Sequence, residues 1–318
     1  MSKKRDMPAR YGMGEWYGQL LTKLSVQDLN IYSHIGTNKQ ESIVCPFRQS
    51  SSLGQLCHKK GGVCSFRVYQ ETPSGVTPAP NTLLVTLCPS RFWQDNTVFH
   101  WIAKTILGCD KPIIIKEVGF LQSVIHNNIF DPNPEESNPD HVGNIDMVLV
   151  DPAHHNKWCA VEMQSVYFSG GSMKQEFKAY ENITTAAVLF SQKSRRPDYR
   201  SSGPKRLMPQ LEIKVPALRR WGKKMAVIID RSFFASMAPM KRVRHLSNAD
   251  IAWFVVDYDL NGEAGVLIEY DVFLTTLESS VDGLTAGDPR AQEEFEQEIE
   301  AFLTDRTNKH KDKVIRLD

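Results

Sequence analysis

Two segments near the middle of the chain have the hydrophobic pattern of strands: 144–150 is mostly apolar, and 158–166 alternates between two sets of side chains. The residues between them, 151–156, include Asp, Pro, His and Asn, which break strands and favour turns. This pattern predicts two strands joined by a hairpin. Because side chains two residues apart on a strand share a face, we expect Glu162 and Gln164 to point the same way.

The periodicity of the remaining chain predicts a mixed α/β fold. Asp95 or Asn96 is expected to cap one helix, and Gly108 is expected to end it. The apolar run 224–230 is typical of a strand that is buried on both faces. Helices are predicted at 15–24, 95–108, 172–192 and 290–303, further strands at 111–120, 224–230, 250–257 and 266–273, and a loop at 131–144.

Composition is that of an ordinary soluble globular protein, with 41% hydrophobic and 24% charged residues among 318. This length suffices for one large domain or two. No apolar run is long enough to span a membrane, and residues 1–10 lack the apolar core that a secretory signal needs. The six cysteines favour a reducing compartment, the cytoplasm, where thiols bind metals or stay buried rather than form disulfides.

A pair of carboxylates is the first candidate site. Glu162 lies in a segment apolar enough to be buried, and burying a carboxylate is costly unless something compensates its charge. If Asp146 pairs antiparallel near Glu162, the two carboxylates converge on one point. Such a pair, together with phosphate oxygens of a substrate, typically holds Mg²⁺. On its own, an Asp followed by Glu-x-Gln is also common in proteins where it has no catalytic role.

Four cysteines form the second candidate site, with the spacing C-x11-C-x6-C-x23-C. A polar turn at 58–62 lies between two of them, which favours a tetrahedral metal site over reduced core thiols. Iron and zinc are not distinguished, because four thiolates suit both. Basic residues surround this block, either as a DNA-contacting surface or as an ordinary solvated face. The cysteines are Cys45, Cys57, Cys64 and Cys88, and the basic residues are Arg48, Lys59, Lys60, Arg67 and Arg91.

The most basic part of the chain is the segment 193–224, where eleven Lys or Arg against two acids give a net charge of +9. Gly203, Pro204 and nearby serines make its first half loop-like. Such a run is either a solvated face or a segment that follows the phosphates of a nucleic acid. The residues that we expect to contact DNA are Arg195, Arg196, Lys205 and Arg206, together with Lys59, Lys60 and Arg67.

Three blocks in the same order, the upstream cysteines, GNIDMVLVD and AVEMQSVYFSG, resemble the NotI family of type II restriction endonucleases. The resemblance covers roughly residues 45–192 and is weaker afterwards. It implies a PD-(D/E)xK nuclease fold, a mixed sheet flanked by helices, with a small four-cysteine metal-binding module inserted near the N-terminus. It also implies iron at the four cysteines, Mg²⁺-dependent cleavage of double-stranded DNA at a GC-rich palindromic site, and a homodimer that cuts both strands.

The resemblance assigns roles to single residues. Asp146 and Glu162 would hold Mg²⁺, and Glu117 is either a further carboxylate near the metal or an exposed charge at a strand end. Gln164 stands where the motif usually has Lys, so it can only orient a water or a phosphate oxygen by hydrogen bonding. Lys174 or a second cation is a candidate for the missing positive charge.

The expected organisation is an N-terminal helical segment, the cysteine module and a nuclease core, at residues 1–44, 45–92 and 93–318. Two other functions compete with the nuclease. One is a DNA-binding protein with a nuclease fold and no activity, which Gln164 favours. The other is a metal protein with a redox or structural role, which rests on the cysteines and leaves the basic segment unexplained.

Overall fold

The computed structural model describes residues 9–38, 43–48, 55–122, 141–191, 193–285, 290–304 and 314–315. The fold is mixed α/β, with a mixed sheet flanked by helices, as the sequence pattern predicts. The strands are β1 (Arg10–Trp16), β2 (Gln19–Leu20), β3 (Val63–Thr72), β4 (Gly75–Pro78), β5 (Val85–Thr86), β6 (Ile113–Gln122), β7 (His141–Asp151), β8 (His154–Met163), β9 (Tyr167–Phe168), β10 (Pro197–Asp198), β11 (Met225–Asp230), β12 (Ile251–Asp259) and β13 (Val266–Thr275). The helices are α1 (Val26–Thr37), α2 (Thr97–Ile102), α3 (Lys174–Lys178), α4 (Tyr199–Ser202), α5 (Met208–Arg220), α6 (Arg231–Ala235), α7 (Leu277–Thr285) and α8 (Gln292–Thr304).

The central sheet has the strand order β13-β12-β11-β8-β7-β6. Strands β8, β11 and β12 are parallel, and the outer pairs are antiparallel. Every residue of β11 is buried, which confirms the prediction from its continuous apolar run. The hairpin of β7 and β8 therefore lies inside the sheet, next to its most buried strand.

Helices cover both faces of this sheet. On one face Val98, Phe99 and Ile102 of α2 pack against apolar residues of the inner strands. On the other face Leu211 and Val215 of α5 do the same. A second sheet, with the order β2-β1-β3-β4 and β5 beside β3, carries a third core cluster with α1 and α3. No helix in the described ranges is long and apolar enough to cross a membrane.

Most elements predicted for residues 93–318 are confirmed. The strands at 111–120, 224–230, 250–257 and 266–273 correspond to β6, β11, β12 and β13, and the C-terminal helix to α8. The helix predicted at 95–108 is α2, extended by a π-helical segment at Ala103–Leu107. Gly108 ends it with a φ of 61°, a conformation that glycine adopts without steric cost. Of the predicted loop 131–144, residues 131–140 lie outside the described residues, and 141–144 belong to β7.

The helix predicted at 15–24 is wrong. Residues Trp16, Leu20, Leu21 and Leu24 are buried, as their apolar character indicates, but they lie in a strand hairpin and a 3₁₀ turn. Tyr17 and Gly18 both have positive φ and reverse the chain between β1 and β2. Pairing of β1 with β3 decides the conformation, because it satisfies the main chain of both strands. The helix begins later, at α1, where Ser25 and Asp28 form a capping box.

The long helix predicted at 172–192 is also wrong, because within the described residues 172–191 only α3 forms. Asn182 has a φ of 61°, which no helix interior accepts, and the amide of Leu189 donates to the hydroxyl of Tyr180 instead of to a helical carbonyl. The main helix of this part of the chain is α5, which lies inside the basic segment.

A buried ion pair joins the two sheets. The Nε atom of Arg91 lies 3.0 Å from Glu15 Oε2, and both side chains are fully buried. The guanidinium also donates to the carbonyl of Gly265 at 2.8 Å and lies 4.5 Å from the ring centres of Phe47 and Tyr258. The pair thus holds β1 against the turn between β12 and β13. Arg91 is therefore a structural residue and does not belong to a DNA-contacting surface.

We expect Arg91→Met to lower the free energy of unfolding by about 3–5 kcal/mol, because Glu15 is left buried without its counter-ion. Urea denaturation followed by tryptophan fluorescence measures the change. Arg219→Met is the control: Arg219 pairs with Asp250 at a half-exposed position, and its removal should cost at most about 1 kcal/mol. Equal effects of the two substitutions would contradict a special role for the buried pair.

Candidate active site

The hairpin of β7 and β8 brings the two predicted carboxylates together. Met147 pairs with Val161, so the next position in this register sets Asp146 beside Glu162. The amide of Asp146 donates to Glu162 Oε1 at 3.4 Å. In return, the amide of Met163 donates to Asp146 Oδ2 at 3.2 Å. Each carboxylate thus accepts a main-chain hydrogen bond from the other's strand.

Glu162 is buried, with 2% of its surface exposed, whereas Asp146 is exposed. Burial, and after it the charge of Asp146, raise the pKa of Glu162 to about 7, while Lys214 acts in the opposite direction. A bound cation would favour the ionised form of both carboxylates. The pair of carboxylates is therefore a site at which a positive charge would be stabilised.

A lysine from a different element already contacts Glu162. Lys214 Nζ lies 2.5 Å from Glu162 Oε1, with side-chain exposures of 7% and 2%. Lys214 is on α5, whose apolar side packs on this face of the sheet. This residue is not among those predicted from the sequence. The available signal is that Lys214 interrupts the apolar stripe of Leu211, Val215 and Leu218 at helical spacing.

Gln164 lies one residue beyond the end of β8, where its amide still donates to the carbonyl of Ile228 at 3.0 Å. Its side chain is buried, and the side-chain nitrogen donates to the carbonyl of Ser165 at 2.6 Å. That hydrogen bond turns the Gln164 amide group towards the main chain. Lys174 lies on α3, and the ammonium that contacts Glu162 belongs to Lys214 instead.

Glu117 continues the row of carboxylates onto the next strand. Its neighbours Lys116 and Val118 pair with Met147 and Ile145, so Glu117 stands opposite Asp146. Its φ of 53° is uncommon for a residue other than glycine within a strand. Glu117 is exposed. Glu117, Asp146 and Glu162 thus follow one another across β6, β7 and β8.

The donors at this site suit a hard divalent cation. Mg²⁺ is usually held by one or two carboxylates together with waters and substrate phosphates. In the part of the chain that the structure describes, no three His, Cys, Asp or Glu side chains form a group that would hold a metal without such help. Asp146 and Glu162 therefore fit a cation that is completed by a phosphate-bearing substrate.

Main-chain pairing brings the four predicted metal-binding cysteines into one region. An isolated antiparallel bridge joins the segments that contain Cys45 and Cys57. The amide of Cys88 donates to the carbonyl of Cys64 at 3.1 Å. Cys45, Cys64 and Cys88 are buried, and Cys57 is partly exposed.

The thiols of these cysteines are close enough to influence one another. Burial is the main cause that raises the pKa of Cys57, and Cys45 and Cys88 raise it further. Burial also raises the pKa of Cys64, with Glu15, Cys88 and Cys57 adding to the effect. Among the described residues, which include 43–48 and 55–122, no three of these thiols lie close enough together to form a metal-binding group. The thiols are therefore neighbours that do not take up a coordination geometry.

Basic residues of the cysteine region line a groove of about 620 Å³. Lys59 and Lys60 lie on one side of it, and Lys174 of α3 on another. The ammonium of Lys59 donates to the carbonyl of Leu87 at 3.1 Å, and the hydroxyl of Ser165 donates to the same carbonyl at 3.3 Å. This shared carbonyl links the groove to the chain that leaves β8.

Two predicted DNA-contacting residues are not freely exposed. Arg195 has only 2% of its side chain exposed and lies 2.6 Å from Glu176 Oε1. It also donates to the carbonyls of Gly171 and Ser172. Arg67 is half-buried, and its Nε atom is buried without a hydrogen-bond partner. The guanidinium of Arg195 therefore holds the main chain at 171–172 and has little surface that could meet DNA.

Three other basic residues of this segment that are predicted to contact DNA are exposed near β8. Arg196, Lys205 and Arg206 are all exposed. The carbonyl of Arg196 accepts from the amide of Ser169 at 3.0 Å, which is part of the small ribbon of β9 and β10. The guanidinium of Arg206 lies 3.8 Å from the ring centre of Tyr167 and donates to its hydroxyl at 2.5 Å. Tyr167 follows Glu162 by a few residues, so the charge of Arg206 lies near the C-terminal end of β8.

The architecture and the carboxylate pair agree with a comparison to protein families. No curated protein matches the chain. The family model described as restriction endonuclease NotI matches residues 30–267, a range that contains both carboxylates, the four cysteines and α5. This match spans most of the chain, and the protein therefore belongs to the NotI family of restriction endonucleases, nucleases that bind DNA.

Proposed function

We propose that the protein is a type II restriction endonuclease that makes Mg²⁺-dependent double-strand cuts at a specific, palindromic and GC-rich DNA site. The observation that supports this most directly is the meeting of Asp146 and Glu162 across β7 and β8, with main-chain amides donated in both directions. Family membership supports the nuclease class. The specific site, its base composition and the metal requirement are the proposed part.

The reaction is hydrolysis of a phosphodiester. The oxygen of a water molecule bonds to phosphorus and its proton passes to solvent, one P–O bond of the DNA backbone breaks, and the departing oxygen takes up a proton from solvent. Asp146 and Glu162 would hold the cation, which when bound would lower the pKa of a bound water and neutralise charge on the phosphate. Glu117, opposite Asp146, is proposed as a further carboxylate that orients water at the same point.

The proposed DNA-contacting surface consists of the exposed residues Lys60, Arg196, Lys205 and Arg206 together with the partly exposed Lys59. These charges lie on two sides of the chain that leaves β8. Contacts to phosphates position a protein on DNA, and a smaller number of base contacts give specificity. Cleaving both strands of a palindrome requires two active sites, so we propose a twofold homodimer.

The four cysteines are proposed to hold a structural iron or zinc ion. The proximity of their thiols supports this, and four thiolates fill a tetrahedral ion without leaving a position for water. Such an ion stabilises a small module, because its binding free energy adds to the folding free energy. The ion would therefore order the region that carries Lys59 and Lys60.

One other function has an observation in its favour. The side-chain amide of Gln164 donates to Ser165, so the motif position that usually supplies Lys gives no charge to the carboxylates. A DNA-binding protein with a nuclease fold and no activity is consistent with this. A plasmid-cleavage assay with Mg²⁺ separates the two functions, since only the nuclease linearises the plasmid.

We expect Asp146→Asn to reduce cleavage at least about 100-fold, because the cation loses one of its two carboxylates. Specific DNA binding should persist, since the charges that contact phosphate lie elsewhere. Plasmid cleavage and a binding isotherm measure the two effects. Asp151→Asn, at the far end of the same strand, is the control and should leave cleavage unchanged. Cleavage by Asp146→Asn at the wild-type rate would remove Asp146 from the site.

The basic surface is tested by reversing Arg196, Lys205 and Arg206 to Glu. We expect weaker DNA binding, with the slope of log affinity against log salt reduced by about 0.9 for each phosphate that the variant no longer neutralises. The same three reversals at Lys104, Lys111 and Lys241, which are exposed elsewhere on the molecule, form the control. If both triple variants show the same slope, the basic segment is only a solvated face.

Cys64→Ser should release the structural metal and weaken DNA binding, because the region of residues 45–92 loses its cross-link. Elemental analysis of the purified protein gives the metal content, and limited proteolysis should cut this region first. Cys109→Ser is the matched control, since Cys109 lies outside the four-cysteine set. Wild-type protein that is purified anaerobically and contains no transition metal would contradict the structural ion.

A further inference from the structure

The carboxylate site needs a positive charge that its own strand does not provide. Negative charge grows on the phosphate oxygens as a water molecule attacks, and a fixed cation nearby stabilises it. Gln164 carries no charge in any protonation state. Its side-chain nitrogen donates to the carbonyl of Ser165, so the amide group is turned towards the main chain.

Lys214 occupies the place where such a cation would act. Its ammonium lies 2.5 Å from Glu162 Oε1 and 2.9 Å from Gln210 Oε1. An ammonium has three donors, and within the described residues these two acceptors account for two of them. One N–H therefore remains for an oxygen that arrives with the substrate.

Helix α5 fixes the ammonium in this position. Gln210 lies one turn before Lys214, so its side chain reaches the same face of the helix. Leu211, Val215 and Leu218 anchor that face to the sheet. The side chain of Lys214 is therefore held at both ends, by the packed helix and by its two acceptors.

Stability alone does not explain a lysine at this position. A buried ion pair often contributes no more to stability than apolar residues of the same volume. Lys214 lies in the stripe that packs on the sheet, where an apolar side chain would satisfy the core. The buried carboxylate and the buried ammonium are thus better explained by the chemistry of the site.

We propose that Lys214 supplies, from helix α5, the positive charge that the motif position on β8 lacks. In the complex with DNA its ammonium would stay beside Glu162 and donate its remaining N–H to an oxygen of the attacked phosphate. This inference rests on the proposed nuclease function. It adds to that function the residue that stabilises charge on the phosphate.

The test compares Lys214→Gln and Lys214→Met with wild-type protein. Lys214→Gln keeps a hydrogen-bond donor and removes the charge, and Lys214→Met keeps most of the length of the side chain and removes both. We expect single-turnover cleavage of a plasmid to fall by about 100- to 1000-fold in both. Lys104→Met, which removes an exposed charge on the opposite side of the sheet, should cleave as wild type does.

A second measurement separates a charge in the site from a support of the fold. In DNA-free protein, Mg²⁺ titrated in a calorimeter should bind roughly tenfold more tightly to Lys214→Gln than to wild type, because the ammonium no longer competes for Glu162. A residue that only supports the fold would lower the melting temperature and leave Mg²⁺ affinity equal or weaker. Restoring the charge on the strand gives the third measurement: Gln164→Lys in the Lys214→Met background should recover cleavage to within about tenfold of wild type.

The outcomes distinguish the two levels of the proposal. If wild type cleaves and the Lys214 variants cleave equally well, the role of Lys214 is overturned and the nuclease stands. Slower cleavage without tighter Mg²⁺ binding and without recovery by Gln164→Lys also overturns it. If wild type does not cleave DNA in Mg²⁺, the proposed nuclease function fails, and the role of Lys214 fails with it.

Discussion

The constraint on which the active site depends is the burial of a carboxylate inside a sheet. Glu162 sits on β8 between β7 and the wholly buried β11, so water cannot solvate its charge. Such a charge is stable only with hydrogen bonds and a counter-ion. The protein meets this requirement with the amide of Asp146 and the ammonium of Lys214. These partners come from a neighbouring strand and from a packed helix, so the site exists only when the sheet and α5 are assembled.

The two faces of the central sheet differ in whether they carry this buried charge. The face under α2 carries a large apolar cluster. The face under α5 carries a second apolar cluster and also Glu162, which contacts Lys214 of that helix. A charged side chain is tolerated at Lys214 because the surrounding leucines and valines already anchor the helix. Helix α5 therefore has two roles: Leu211, Val215 and Leu218 pack on the sheet, and Lys214 contacts the carboxylate site.

The basic segment illustrates how a charge count conceals different physical roles. Arg195 is buried against Glu176, Arg219 pairs with Asp250, and Lys214 neutralises Glu162. Arg196 and Lys205 remain exposed. The net charge of +9 in this segment therefore overstates the surface that is free to meet phosphates. Burial, which depends on distant partners, decides which of these charges act on a ligand.

By local pattern alone the sequence determined the β7–β8 hairpin, the continuous apolar strand β11, the helix that ends at Gly108 and, through the hairpin, the pairing of Asp146 with Glu162. These features depend on residues close in sequence, through turn formers, side-chain alternation and capping, so the sequence contains their cause. The hairpin at Trp16 and the short α3 depend on partners far along the chain, and periodicity predicted helices in both places. For the same reason, the sequence did not predict that Lys214 is the positively charged side chain that contacts Glu162. Lys214 follows Glu162 by 52 positions, and only the packing of α5 on the sheet brings the two charges into contact.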